Sequence, residues 1–210
     1  MKDPFTRNAR GTTNRLKDSK VLILGLGGIG SNTAIGLARS GVGILLLVDF
    51  DRVELSNLNR QQYRVDQLGE KKTIALAENI EAMGLGTEIE SYNLRVGPAE
   101  IEKLAKQADL VCECFDKAET KAMAAETVLS MGKPLIASSG MAGVGTCNCI
   151  ETANPVAGLY VCGDRERDYE CTDGMMAAGT MICAGHQIDT AVCLLSGIAL
   201  KERKGGKDGR

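Results

Sequence analysis

The chain has 210 residues, a mass of 22.3 kDa and a formal net charge of −2, enough for one self-sufficient core. Apolar residues make up 44% and charged residues 25%, as in an ordinary globular protein. The near-neutral charge argues against a nucleic-acid or anionic-membrane surface, and the absence of Trp argues against base stacking. Residues 1–20 are polar and mixed in charge, without the apolar core of a secretory signal. Residues 21–24 form a short apolar run that ends in Gly25-Leu26-Gly27-Gly28-Ile29-Gly30, and residues 33–39 read as a helix. A second apolar run, 44–48, ends at Asp49. Strand, glycine turn, helix and strand make the first βαβ unit of a doubly wound sheet.

Residues 68–83 carry Ile74, Leu76, Ala77, Ile80 and Met83 at helical spacing and stop at Gly84. A third strand is expected at 88–92. A helix over 98–107 opens on Pro98, a fourth strand runs 110–114, a helix 118–131 and a fifth strand 135–137. Beyond Gly140, Val144, Thr146, Asn148 and Ile150 alternate as in a sheet-extending, antiparallel strand. Residues 164–174 form a charged loop, and 175–200 read as a last helix. His186, Gln187 and Asp189 lie near its middle, so it is expected to be buried in protein, not in a membrane. The fold class is therefore α/β: a doubly wound, mostly parallel, Rossmann-like sheet with a small antiparallel extension. Residues 1–200 are expected to form a single unit, with 201–210 a disordered charged tail.

The glycine cluster is a phosphate site by its chemistry. One glycine permits the tight turn, one lets backbone approach phosphate, and one lets helix and strand pack closely. The helix N-terminus then offers unpaired N–H groups. Asp49 stands roughly twenty residues beyond, where an acid can take ribose hydroxyls. Alone, this pattern fits any adenosine-containing ligand, NAD included. Arg60 and Lys72 follow the acid closely and can both turn toward phosphate. A dinucleotide needs no second set of cations, whereas a triphosphate does. Asp116, after the fourth strand, suits Mg²⁺; it also precedes a helix, with Glu119 at capping-box spacing, so a cap is the alternative reading and the two roles can coexist.

In order, Gly25–Gly30, Asp49-Phe50-Asp51, Ser56-Asn57-Leu58-Asn59-Arg60-Gln61, Leu68-Gly69-x-x-Lys72 and the Asp116 segment resemble the ThiF/MoeB/HesA family, relatives of ubiquitin-activating enzymes. Residues 139–143, 160–164 and 184–187 look closest to its shorter ThiF-type members. The resemblance implies ATP-dependent adenylylation of the C-terminal Gly-Gly carboxylate of a small, ThiS-like sulfur carrier protein in thiamine thiazole synthesis. It implies a cytoplasmic homodimer with ATP and Mg²⁺ as cofactors. By position, Gly25, Gly27, Gly28 and Gly30 line the phosphates and Asp49 holds the ribose, with Asp51 nearby. Ser56, Asn57, Arg60 and Lys72 bind phosphates and Asp116 binds Mg²⁺. An N-terminal Arg, Arg7 or else Arg10, reaches the partner's ATP in trans.

Many members bind zinc on two Cys-x-x-Cys pairs. Here Leu159 stands where the partner of Cys162 is expected and the second pair is absent, so no zinc site is expected. Cys112 with Cys114 and Cys147 with Cys149 read as strand pairs of buried thiols, as do Cys183 and Cys193 on the last helix. Cys171, in the charged loop, is the candidate for sulfur transfer, with Arg165 and Arg167 to favour thiolate. His186 reads as a packed, hydrogen-bonded core residue. The alternatives are a molybdopterin-type carrier, a modified nucleoside on tRNA, or an NAD-linked oxidoreductase.

Overall fold

The computed structural model describes residues 3–140, 143–165 and 174–201. A short helix α1 (Thr13–Lys17) leads into β1 (Lys20–Leu24), α2 (Gly28–Ser40) and β2 (Ile44–Asp49). Then come α3 (Lys72–Glu81), β3 (Glu88–Asn93), α4 (Pro98–Ala105), β4 (Leu110–Glu113), α5 (Ala118–Ser130) and β5 (Leu135–Ser138). The chain ends its regular structure with β6 (Glu151–Val156), β7 (Leu159–Gly163) and α6 (Ala177–Ser196).

The sheet order is β3-β2-β1-β4-β5-β7-β6, parallel throughout except for the β6–β7 pair. Central strands are covered on both faces, which is why they read as continuous apolar runs. Val21, Ile23, Leu45 and Leu47 point into one core, beneath α2, α3 and α6. Leu22, Leu24, Leu46 and Val48 point into the other, beneath α4 and α5. After β3 the chain returns across the sheet to lay β4 beside β1. That reversal opens a crevice at the carboxyl ends of β1 and β4, where Leu24 pairs with Glu113.

Two helices begin away from their expected starts. α2 starts at Gly28, because the glycine-rich turn is packed against the strands and is helical from its first residue. α3 starts only at Lys72. The preceding residues are held extended, with Val53 N–H donating to Glu70 O (2.8 Å) and Gly69 N–H to Val53 O (2.9 Å).

The expected strand over 144–150 is absent. Its residues include a 3-10 turn at Cys147–Cys149, and Val144 is exposed. The antiparallel strand is β6, which begins where β7 supplies a partner, Glu151 opposite Gly163. The β6 register breaks between Ala153 and Val156, around Pro155, which has no N–H for the ladder. Cys149 is consequently exposed and Cys147 half-buried, not paired on a buried strand face. Cys112, Cys114 and Cys183 are buried as expected, whereas Cys193 is half-buried. His186 is half-buried on α6, its Nδ1 2.9 Å from Thr152 Oγ1. Among the described residues, no helix is long and apolar enough to cross a membrane.

Candidate functional site

The glycine loop sits in the crevice at the end of β1. Gly25 turns the chain at φ +87°, and its N–H donates to Val48 O at 2.8 Å. A Cβ there would lie 2.9 Å from Cys114 O, so loop and β4 end meet backbone to backbone. A Cβ on Gly30 would fall 1.9 Å from Gly25 O; this glycine lets α2 start directly against the loop. A Cβ on Gly28 would meet the Thr180 methyl of α6 at 2.9 Å and Arg60 Cγ at 3.5 Å. Gly27 differs: nothing lies within 4 Å of its would-be Cβ. Gly27 also occupies the N-cap of α2, with no side-chain cap to take up the first N–H groups.

Asp49, at the end of β2, is almost fully buried. Its Oδ2 accepts Leu26 N–H at 2.6 Å and its Oδ1 accepts Asp51 N–H at 2.8 Å. The carboxylate thus clamps the loop to β2 while each oxygen keeps a lone pair. Tyr63 steadies the same loop by donating to Leu26 O at 2.8 Å. Burial, then the charges of Asp49 and Asp51, push its hydroxyl well above the ordinary tyrosine range.

Lys72, the first residue of α3, is buried with Nζ 3.1 Å from Oδ2 of half-exposed Asp51. Arg60 uses Nη1 on Ser56 O (2.9 Å) and Asn59 Oδ1 (2.8 Å), while its buried Nε has no partner among the described residues. The Arg60 backbone is pinned to α2, because Asn32 Nδ2 donates to Arg60 O (3.0 Å) and Gln62 Nε2 donates to Asn32 Oδ1 (2.6 Å). Asn57 is buried, its Oδ1 accepting Glu54 N–H at 3.2 Å, and Ser56 is exposed.

Asp116 stands exposed in the turn between β4 and α5, and its carboxylate has no hydrogen bond among the described residues. It does not cap α5: the N-cap is Lys117, and no side-chain cap bond forms. That leaves its oxygens free for an outside ligand. The structure therefore brings the glycine loop, Asp49, Asp51, Arg60 and Lys72 to one end of the sheet, with Asp116 on the adjoining turn. Arg7 and Arg10 are not brought there. Asn8 Nδ2 donates to Ser40 O (2.9 Å), anchoring the N-terminal segment at the far end of the 13-residue α2. That is roughly 20 Å of helix. Cys171 and Arg167 lie outside the described residues. Among the described residues, no group of three or more His, Cys, Asp or Glu could hold a metal by itself.

Sequence reasoning missed an ion pair behind Asp116, between a buried acid and a half-buried lysine. Glu113, fully buried, meets Lys121 Nζ with both carboxylate oxygens at 3.1 Å. Burial raises the Glu113 carboxyl above its usual range, and the Lys121 charge and the hydrogen bonds it accepts only partly offset this. The available signal was an acid inside an apolar strand, Val111-Cys112-Glu113-Cys114.

A family model described as "ThiF family" matches residues 5–206. The chain belongs to the ThiF family. It is 35% identical over 127 residues to "Adenylyltransferase and sulfurtransferase MOCS3" of Caenorhabditis briggsae, covering 60% of this chain and 32% of that protein. It thus spans about a third of the length of the curated relatives it matches. Among solved structures it resembles E. coli tRNA N6-threonylcarbamoyladenosine dehydratase, TcdA, in complex with ATP, with a TM-score of 0.82, 19% identity and 90% of each chain covered. E. coli MccB with AMPCPP and MccA aligns with a TM-score of 0.72 and 21% identity, over 90% of this chain and 59% of that one. These structural likenesses establish the same mostly parallel α/β fold.

Proposed function

We propose that this protein uses Mg-ATP to adenylylate the C-terminal glycine carboxylate of a small ubiquitin-like sulfur carrier, releasing pyrophosphate. The observation that carries this reading is one crevice holding an uncapped α2 N-terminus with open space over Gly27, a buried acid and two cations. The spare lone pairs of Asp49 suit ribose hydroxyls. The unpartnered Nε of Arg60 and the ammonium of Lys72 suit phosphate oxygens, with Ser56 and Asn57 beside them. Asp116, with an unspent carboxylate, is the residue to hold Mg²⁺, which would neutralise charge on the transferring phosphate. No general base is required, because a terminal carboxylate is already ionised at neutral pH. It attacks the α-phosphorus, a new acyl–phosphate bond forms, and the bond to pyrophosphate breaks. The protein's part is alignment and charge neutralisation.

The position of Arg7 and Arg10 at the far end of α2 favours service to a second copy's crevice over their own, hence a homodimer. The relatives named adenylyltransferases support the chemistry. The finer reading, a ThiS-like carrier for thiazole synthesis in the cytoplasm, rests on the shorter-member motifs, while Cys171 is the candidate sulfur-transfer thiol by its place in the charged loop before the last helix.

The test is ATP–pyrophosphate exchange with and without a ThiS-like protein ending in Gly-Gly, repeated for Asp116→Ala. Carrier-dependent exchange that collapses in the variant is expected. Failure of every Gly-Gly carrier to elicit exchange, in a protein that still binds ATP, would overturn the carrier reading and move the acceptor to a small molecule or tRNA.

A further inference from the structure

The pair of buried Glu113 and half-buried Lys121 has no place in the chemistry above. Burying a carboxylate, even beside a cation, is seldom the most stable way to fill a core; apolar residues of similar volume commonly do as well or better. Its placement accounts for it. Glu113 ends β4, and its Oε1 accepts Phe115 N–H at 2.6 Å, fixing the turn one residue before Asp116. Lys121 lies in the opening turns of α5 and closes the other side of that turn onto the same carboxylate. Its Nζ also donates to Ser138 O (2.8 Å) and Ser138 Oγ (3.0 Å), at the end of β5. The next residue, Ser139, accepts Arg165 N–H at 3.0 Å and donates to Cys162 O at 2.9 Å. The pair thus joins β4, α5 and β5 at the crevice rim, with Asp116 inside the loop it closes.

We propose that Glu113 and Lys121 are positioning residues that hold the Asp116 carboxylate in its metal-binding place, and so couple Mg²⁺ to nucleotide binding. This rests on the adenylylation reading and deepens it. Groups that orient a metal ligand are commonly worth ~10- to 100-fold in metal affinity.

The experiment is calorimetric titration of ATP into the full chain with and without Mg²⁺, read beside the melting temperature. Lys121→Met strands a buried carboxylate and can fail to fold. The informative variant is Glu113→Leu with Lys121→Met, an apolar pair of similar volume that removes both charges together. It is expected to melt near the wild-type temperature and to bind metal-free ATP within about twofold of wild type. It is expected to need ~10-fold more Mg²⁺ or beyond to reach half its metal-dependent gain. Lys121→Arg with Glu113 kept, which retains the charge and donors, is expected to need Mg²⁺ close to the wild-type amount. A double variant whose Mg²⁺ dependence equals wild type overturns the positioning role and leaves adenylylation standing. A wild-type protein that binds no ATP overturns both.

Discussion

Four glycines in six residues do separate jobs that the motif alone does not separate. Gly25 is a turn, Gly30 a helix–loop contact and Gly28 a seat for the Thr180 methyl, while a Cβ on Gly27 would meet no protein atom within 4 Å. Space that no protein atom occupies, beside uncapped N–H groups, is what an anion site requires. Two substitutions separate packing from binding. Gly30→Ala drives a methyl into Gly25 O and is expected to cost about 1–3 kcal/mol in urea unfolding. Gly27→Ala is expected to unfold within about 0.5 kcal/mol of wild type yet bind ATP much more weakly, because the methyl fills the phosphate's place. Unchanged ATP affinity in Gly27→Ala would show that phosphate does not lie there.

At the scale of elements, five strands and the helices between them were legible, because apolar runs of strand length alternated with segments of helical period. The convergence of Asp49, Arg60 and Lys72 was legible too, through the order of the motifs. Three things were not. The 144–150 alternation reads as a strand, but strands need partners, and β7 offers one only from Glu151. The Asp116 cap follows from spacing, but the backbone enters α5 at Lys117. Glu113 and Lys121 meet across a turn, through a contact that no local pattern specifies. Long-range fit also sets how α6 braces the phosphate helix. Gly36 on α2 faces Ile188 on α6, and a Cβ there would lie 2.1 Å from Ile188 Cδ1. Gly36→Ala alone is expected to destabilise, despite a helix-propensity gain of about 1 kcal/mol. In an Ile188→Ala background the same change is expected to stabilise. A double-mutant cycle in urea checks this; simple additivity would mean that the two helices do not constrain each other there.

At the scale of the whole molecule, buried thiols tie the parallel sheet to its extension and to the helix that covers both. Cys112 lies on β4, Cys162 on β7 and Cys183 on α6, and Cys183 Sγ donates to Cys162 O at 3.2 Å. Burial pushes all three thiols up from the ordinary 9.0, Cys162 to about 11 and the other two further, and Cys114 rises for the same reason. The unfolded chain therefore loses these protons first. Above about pH 9 the unfolded state binds fewer protons than the native state, so stability falls as pH rises, by about 1.4 kcal/mol per pH unit for each such group. The Cys162 contribution is fully present below 9.0 and lost by about 11. Buried Tyr63 extends the fall above its ordinary 10.0. Urea midpoints are expected to hold steady between about pH 7 and 8.5 and to drop steeply by about pH 10. Cys162→Ala and Cys183→Ala are expected to flatten that drop, whatever they cost at neutral pH. An alkaline slope that the two substitutions leave unchanged would mean that the thiols are not what the core protects. Because these thiols join the sheet and the helix that covers it, the loss is expected as a single unfolding transition, and not as detachment of β6 and β7 alone.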